Sequence, residues 1–189
     1  ADRELCPHLP PSVIPRNVFI VWKNSTLNPE ADALHREWLA KEPCWRRTVV
    51  TDADCATLAS KLRVRDVYDS FPLNVMRADM CRVMVVYDRG GMYMDLDVAW
   101  NMSMVRWWLP NTSFQFGFET DEAKHSDKPH YCNWIFGAAE GHRCMKSVLR
   151  RIVVAARALD FKSRDLLDNF HFVHTVTGPL AFTEGIMTC

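Results

Sequence analysis

An α/β fold, with a mainly parallel sheet flanked by helices in a single domain, is predicted by three features of the 189-residue sequence. Short apolar runs suited to buried strands alternate with longer segments whose apolar residues recur at helical spacing. Gly, Pro and Asp separate the two kinds of segment, as turn and cap residues do. With 48% hydrophobic residues the chain can fill one sizeable core and is short for two.

Residues 1–16 contain Pro10-Pro11 and Pro15, which forbid continuous helix, so an extended arm is expected there, with the folded domain over 17–189. Asn17 to Trp22 reads as a buried strand. Pro29 to Lys41 has helical spacing through Ala33, Leu34, Trp38 and Leu39. Arg47 to Val50 is a second strand, and Asp52 to Leu62 a helix with Asp52 or Asp54 as its N-cap. Phe71-Pro72 precedes a helix that starts near Arg77 and carries an apolar face from Ala78 and Met80 through Tyr87. Gly90-Gly91 ends it, because glycine reaches the left-handed conformation without a Cβ clash. Met92-Tyr93-Met94 continues as a strand. Beyond a Trp- and Met-rich stretch from Trp100 to Pro110, Phe114 to Glu119 is strand-like and Asn133 to Ala138 is strand or turn. Cys144 to Leu159 is an amphipathic helix whose basic outer face includes Arg143, Lys146, Arg150, Arg151 and Arg157. No internal repeat interrupts this order.

The segment RADMCRVMVVYDRGGMYMDLD, Arg77 to Asp97, carries the chemistry. Asp95 and Asp97 end an apolar run, where unpaired charge needs a partner or a cation. Both are expected on the strand, two residues apart, where they share a face and can hold one cation directly or through water. All-oxygen ligands favour hard ions such as Mn²⁺ or Mg²⁺, which commonly hold diphosphates. An isolated Asp-x-Asp is also a common turn. Asp79 and Arg82, three apart on one helix face, are open to two readings, a local ion pair or part of a site.

Arg77-Ala78-Asp79, Arg82 and Gly90-Gly91-x-Tyr93-x-Asp95-x-Asp97 together resemble the signature of the DXD-containing sugar transferases, the family of the yeast initiating α-1,6-mannosyltransferase and the inositol-phosphoceramide mannosyltransferases. Ile14 to Lys23 is similar to that family's opening strand, and Asn133 to His142 and Thr177-Gly178-Pro179 to two later blocks. The resemblance implies a GT-A-like, Rossmann-like sheet and a metal-dependent, retaining transferase. It implies that Asp95 and Asp97 are the catalytic metal ligands for Mn²⁺ or Mg²⁺, and that Asp79 and Arg82 hold the donor sugar. Arg77, Tyr93, Asn133, Thr177, Gly178 and Trp22 complete the candidate donor and nucleotide contacts. Mannose from GDP-mannose is the expected donor, with UDP-sugars as the alternative, and a glycan or glycolipid the expected acceptor. No protein nucleophile is nominated. Family members commonly continue past Thr-Gly-Pro into a segment with His and Trp that completes the metal and phosphate site. This sequence stops at Cys189, so the domain is expected to be minimal, or truncated or cleaved, or to use another residue for that task, and a catalytically inactive glycan-binding relative is the second reading.

Other features bound the function. Acidic and basic residues balance at 23 each, which gives no electrostatic reason to expect nucleic acid or an anionic membrane as partner. The seven cysteines lack zinc-site spacing, and three sequons, at Asn24, Asn101 and Asn111, permit N-glycosylation. Together they point to a secretory lumen, where disulfides persist. The odd count leaves a thiol unpaired within the chain, and Cys81, within the apolar helix, is the expected one. No apolar run approaches membrane-spanning length, so a Golgi location would come through an upstream anchor, as the resemblance implies for a type II ectodomain. A two-metal phosphohydrolase is disfavoured, because the additional His and Asp ligands are not evident. Trp107-Trp108 could stack on a sugar face, but paired aromatics are more often core or a lid hinge. Of His171 and His174, the second is the better candidate for a late metal or phosphate contact.

Overall fold

The computed structural model describes residues 12–99, 104, 108–119, 130–159, 161 and 170–189. The elements run β1 (Asn17–Val21), α1 (Pro29–Lys41), β2 (Arg46–Val50), α2 (Asp52–Lys61), α3 (Arg65–Ser70), α4 (Asn74–Arg89), β3 (Gly91–Met94), β4 (Phe114–Phe118), β5 (Tyr131–Ala138), α5 (Arg143–Arg157), α6 (Phe170–Val176) and α7 (Pro179–Met187). Among the described residues the strands form one sheet in the order β2-β1-β3-β5-β4. β1 pairs in parallel with β2 and with β3, whereas β5 lies antiparallel between β3 and β4. Four strands therefore share a direction and β5 alone is reversed, which refines the expected parallel sheet into a mixed one.

Alternation along the strands sends neighbouring side chains to opposite faces. Phe19, Tyr93 and Phe136 enter the larger core under α4, and Val18, Met92, Met94 and Ile135 enter a smaller one built around Trp38, Trp45 and Trp108. Trp108 is thus a core residue, its ring edge-on to Trp45 at 4.8 Å and its Nε1 donating to Ser12 Oγ at 2.9 Å. Trp107 and Asn101 lie outside the described residues. So do residues 1–11 of the expected arm; from the described part Ile14 is fully buried, and Val13 N–H donates to Pro110 at 3.1 Å.

α4 is the central helix, buried continuously from Asp79 to Val86. It stops at Gly90 (φ 62°), and Gly91 (φ 115°) starts β3 so close to β1 that a Cβ would stand 2.7 Å from the Asn17 carbonyl oxygen. No other residue allows that backbone and that approach together. The N-cap of α2 is Thr51, one residue ahead of Asp52 and three ahead of Asp54, the expected caps. Its hydroxyl accepts from Asp54 N–H at 3.2 Å, and the Asp54 carboxylate accepts from Thr51 N–H at 2.9 Å, a reciprocal capping box.

Cys81 is not the unpaired thiol. It is bonded to Cys55, because α2 packs along α4 and brings the two Cα atoms to 5.4 Å, well within disulfide reach. Helical spacing identified the buried position but carried no information about which helix would cover it. Cys144 pairs with Cys189, Cys44 is also disulfide-bonded, and Cys132 is the free, buried thiol among the described residues, pushed up to about 11 by burial. The Cys55–Cys81 bridge ties the site-bearing helix to its neighbour. Replacing both cysteines by alanine is expected to lower stability by about 3 kcal/mol in urea denaturation, with peptide mapping under non-reducing conditions identifying the bridge in the parent protein.

Candidate active site

The site begins where β3 stops. After Met94 the chain makes one more ladder contact, Asp95 N–H to the Trp134 carbonyl at 2.9 Å, and then turns, Val98 N–H donating to the Asp95 carbonyl at 3.2 Å. Asp95 and Asp97 therefore sit on a turn, not on the strand as expected, because β3 pairs with β1 only at Met92 and Tyr93 and with β5 only through Met94. Asp95 is half-buried and Asp97 exposed.

Beneath the turn lies a buried polar network centred on Arg82. Its Nη2 meets Asp79 Oδ1 at 3.0 Å, and its Nη1 donates to the Asn133 carbonyl at 3.0 Å and stands 3.4 Å from Asp95 Oδ1. The Tyr93 hydroxyl donates to the same Asp95 oxygen, and the Arg82 guanidinium lies over the Tyr93 ring at 4.7 Å. Thr177 Oγ1 donates to Asp79 Oδ2 at 2.8 Å. Residues from α4, β3, β5 and the α6–α7 junction thus converge on one guanidinium. The Asp79–Arg82 ion pair is real, and it is also the core of the site.

Burial pushes the Asp79 and Asp95 carboxyls up, and Arg82 opposes the rise at both. Burial likewise disfavours the Arg82 charge, but Tyr93, Asp79 and Asp95 hold its pKa above the ordinary value. Burial raises the Tyr93 phenol well above its usual range, which keeps it a neutral donor.

A cavity of about 680 Å³ opens over this network, a size suited to a small-molecule ligand. Its lining follows the C-terminal ends of three strands: Trp22 after β1, Asp52 after β2, and Tyr93, Asp95 and Asp97 at the end of β3. Arg82 forms part of the wall. Open α/β sheets place their ligands at such strand ends. Asp79 and Thr177 stand behind Arg82, and Asn133 contributes its backbone carbonyl to it. Two candidates lie elsewhere. The Arg77 guanidinium turns toward the start of its own helix, donating to the Phe71 carbonyl at 2.6 Å and to Asn74. Gly178 lets α7 approach α6, since a Cβ there would stand 2.9 Å from His174 Cα. His174 is half-buried and acts electrostatically on Asp79.

The donor chemistry around the turn suits a hard divalent cation. Two carboxylates, Asp79 and Asp95, face one guanidinium, and Asp95 and Asp97 border the cavity, where a diphosphate and water would supply the remaining oxygen ligands. Among the described residues no group of three or more His, Cys, Asp and Glu forms a closed protein cage.

His35 was missed. It is 1% exposed, and its Nε2 lies 3.0 Å from the Leu96 carbonyl, which fixes it as the N–H donor to the turn between the two aspartates. Its signal was available in the stripe Ala31, His35, Trp38, the buried residues of α1. Asp52, Asn74 and Val75, also in the cavity wall, were not read as site residues either.

Two stability predictions follow from these contacts. Arg82→Leu leaves buried carboxylates uncompensated and is expected to cost about 3–5 kcal/mol in urea denaturation, against about 1 kcal/mol for Thr177→Val. Burial also depresses the His35 pKa, so below about pH 6.5 the unfolded chain takes up a proton that the folded chain refuses. His35 therefore makes stability fall as the pH drops, by up to about 1.4 kcal/mol per pH unit, and His35→Gln should flatten that dependence between pH 7.5 and 5 in thermal melts.

Comparison with known proteins identifies the family and the fold. Residues 19–115, just over half the chain, match the family described as the glycosyltransferase sugar-binding region containing a DXD motif. The chain is 26% identical to the initiation-specific alpha-1,6-mannosyltransferase of Schizosaccharomyces pombe, over 89% of this chain and 47% of that protein. It is 30% identical to inositol phosphoceramide mannosyltransferase 3 of the same yeast, over 60% of this chain and 27% of that protein. The chain thus spans about half or less of the length of these curated relatives. Among solved structures, the PaToxG glycosyltransferase superposes with a TM-score of 0.66 over 99% of this chain and 73% of that one, at 13% identity, a likeness of fold.

Proposed function

The chain belongs to the family of glycosyltransferase sugar-binding regions containing a DXD motif, and from that premise we propose a metal-dependent, retaining hexosyltransferase that moves mannose from GDP-mannose to a glycan or glycolipid. The observation that carries this reading is the Arg82 network opening into a nucleotide-sized cavity beside Asp95 and Asp97. The likeness to two mannosyltransferases favours mannose as the sugar.

In this reading Asp95 and Asp97 hold Mn²⁺ or Mg²⁺, which when bound supplies Lewis-acid neutralisation of the departing diphosphate. Arg82 holds Asp95 in place, opposes the rise that burial causes in its pKa, and adds positive potential where negative charge grows on the leaving group. Asp79, oriented by Thr177 and Arg82, accepts hydrogen bonds from sugar hydroxyls. Tyr93 fixes the Asp95 rotamer from below, and His35 fixes the Leu96 carbonyl between the two ligands. Trp22 offers an apolar wall to the nucleotide. The Cys55–Cys81 and Cys144–Cys189 bridges, with exposed sequon residues Asn24 and Asn111, support a secretory lumen, and we place the protein in the Golgi as an ectodomain. Among the described residues no helix is long and apolar enough to cross a membrane.

The test is a thermal-shift and donor-hydrolysis assay with GDP-mannose, UDP-galactose and UDP-N-acetylglucosamine, with and without Mn²⁺. GDP-mannose at a hundred times its dissociation constant should stabilise the protein by about 2.7 kcal/mol in the presence of Mn²⁺. The shift and the release of mannose should both vanish in the Asp95→Ala, Asp97→Ala double variant. A response confined to a UDP-sugar would replace the donor, and no response to any sugar nucleotide would overturn the transferase reading.

A further inference from the structure

The formal charge of the chain is zero, but it is not spread evenly. The 15 residues of α5, RCMKSVLRRIVVAAR, hold five cations and no acidic residue. At 3.6 residues per turn, Arg143, Lys146, Arg150, Val154 and Arg157 fall within about 80° of the helix circumference, in a stripe about 21 Å long. All five are exposed. The opposite face, with Met145, Val148, Leu149 and Ile152, is buried in the larger core, so packing against α4 and α7 fixes the outward direction of the stripe.

Local helix stability disfavours this sequence in two ways. Arg143 and Lys146 stand at the N-terminal end, where the helix dipole favours carboxylates, and the first turn contains none. Arg143 and Lys146, three apart, and Lys146 and Arg150, four apart, are like charges on neighbouring positions, which repel. A solvated face ordinarily mixes signs, as α1 does with its Asp32–Arg36 and Glu37–Lys41 pairs. On α5 the carboxylates that reach the helix are already engaged, Glu184 with Arg151 at 2.7 Å and Asp66 with Arg157 at 3.0 Å. Among the described residues, Arg143, Lys146 and Arg150 enter no ion pair.

Three uncompensated cations on one face fit an external anionic partner, and the apolar side chains among them indicate its kind. Val154, within the stripe, is 58% exposed, and Met187 is 59% exposed. The contact of Thr188 Oγ1 with Ser147 Oγ at 3.0 Å and the Cys144–Cys189 disulfide hold Met187 beside the first turns of α5. A soluble polyanion gains nothing from exposed Val and Met, whereas the boundary between headgroups and acyl chains takes up cationic and apolar groups together. We propose that this face of α5 is a peripheral docking surface for a bilayer carrying anionic headgroups, with Arg143, Lys146 and Arg150 on the headgroups and Val154 and Met187 between them. No residue of α5 lines the cavity, so this surface is independent of the nucleotide reading.

The test is sedimentation of the chain with vesicles of phosphatidylcholine alone and of an equimolar mixture with phosphatidylserine. The anionic mixture should bind about a hundredfold more tightly, the scale of three cations near a charged membrane. Raising the salt from about 0.1 to about 1 M, which shortens the Debye length from about 10 to about 3 Å, should release the protein. Lys146→Gln together with Arg150→Gln should weaken binding by about thirtyfold. Because these changes also remove a like-charge repulsion, the melting temperature should stay at the parent's value or rise. Val154→Ser should weaken vesicle binding by roughly fivefold, the scale of half-burying its side chain. Lys41→Gln together with Arg46→Gln, beside the edge strand β2, changes the net charge equally and should leave binding unchanged. No binding to the anionic mixture, equal binding to both kinds of vesicle, or equal loss in the two double variants overturns the proposal. Vesicle binding that Val154→Ser leaves intact, matched by binding to dextran sulfate, also overturns it, since that outcome assigns the face to a soluble polyanion.

Discussion

The buried guanidinium of Arg82 is the constraint on which the rest of the site depends. A cation placed that deep is tolerable only if acceptors surround it, and four different elements supply them or their supports. Asp79 arrives from the same helix, Asp95 from the end of β3, the Asn133 carbonyl from β5, and Thr177 secures Asp79 from the α6–α7 junction. The contacts from β3, β5 and the α6–α7 junction fix those segments relative to α4, so the geometry of the candidate site and the packing of the sheet against its helix are one arrangement. Satisfying a buried charge and registering four segments of chain are here the same event.

The sheet converts that arrangement into a cavity. β1 and β3 run in parallel and end on the same side, so Trp22 and the DXD turn emerge together, and β2 adds Asp52 to the row. β5, running the other way, brings the Asn133 carbonyl under the turn and accepts the last ladder bond from Asp95. The reversed strand is therefore what anchors the end of β3.

Much of this was legible in the sequence because it was written in local patterns. The Gly90-Gly91 stop, the apolar strand before Asp95 and the stripe of α4 each depend on neighbours a few residues away, and the motif resemblance gathered Asp79, Arg82, Tyr93 and Asp95 before their contacts were visible. What was not legible depends on long-range partners. Cys81 looked like a small buried hydrophobe until α2 delivered Cys55. Arg77 shares the helix and the charge of Arg82, yet it lies more than a turn earlier, where the nearest acceptors are the Phe71 carbonyl and Asn74. His35 meets Leu96 across 61 residues, a distance over which spacing carries no signal. The strand assignment for Asp95 and Asp97 failed for a related reason, since alternation predicts a strand's faces but not where its partners end.

The three carboxylates of the site lie at three depths, with Asp79 buried, Asp95 half-buried and Asp97 exposed. Burial alone would drive the first two toward the neutral form, in which neither is a good acceptor for a cation or for a donated hydroxyl proton. One guanidinium opposes that drive at both because it presents separate N–H groups in a fixed plane, Nη2 to Asp79 and Nη1 toward Asp95 and the Asn133 carbonyl. Lysine has a single nitrogen and could not hold three acceptors in those directions at once. The depth gradient then divides the work: the buried carboxylate is held rigid by Thr177 and Arg82, and the exposed one is free to meet a ligand arriving from water. Asp95, tied to Arg82 and Tyr93 on one oxygen, has its second oxygen available toward the cavity side, and it is this half-satisfied group that couples the buried network to whatever binds above it.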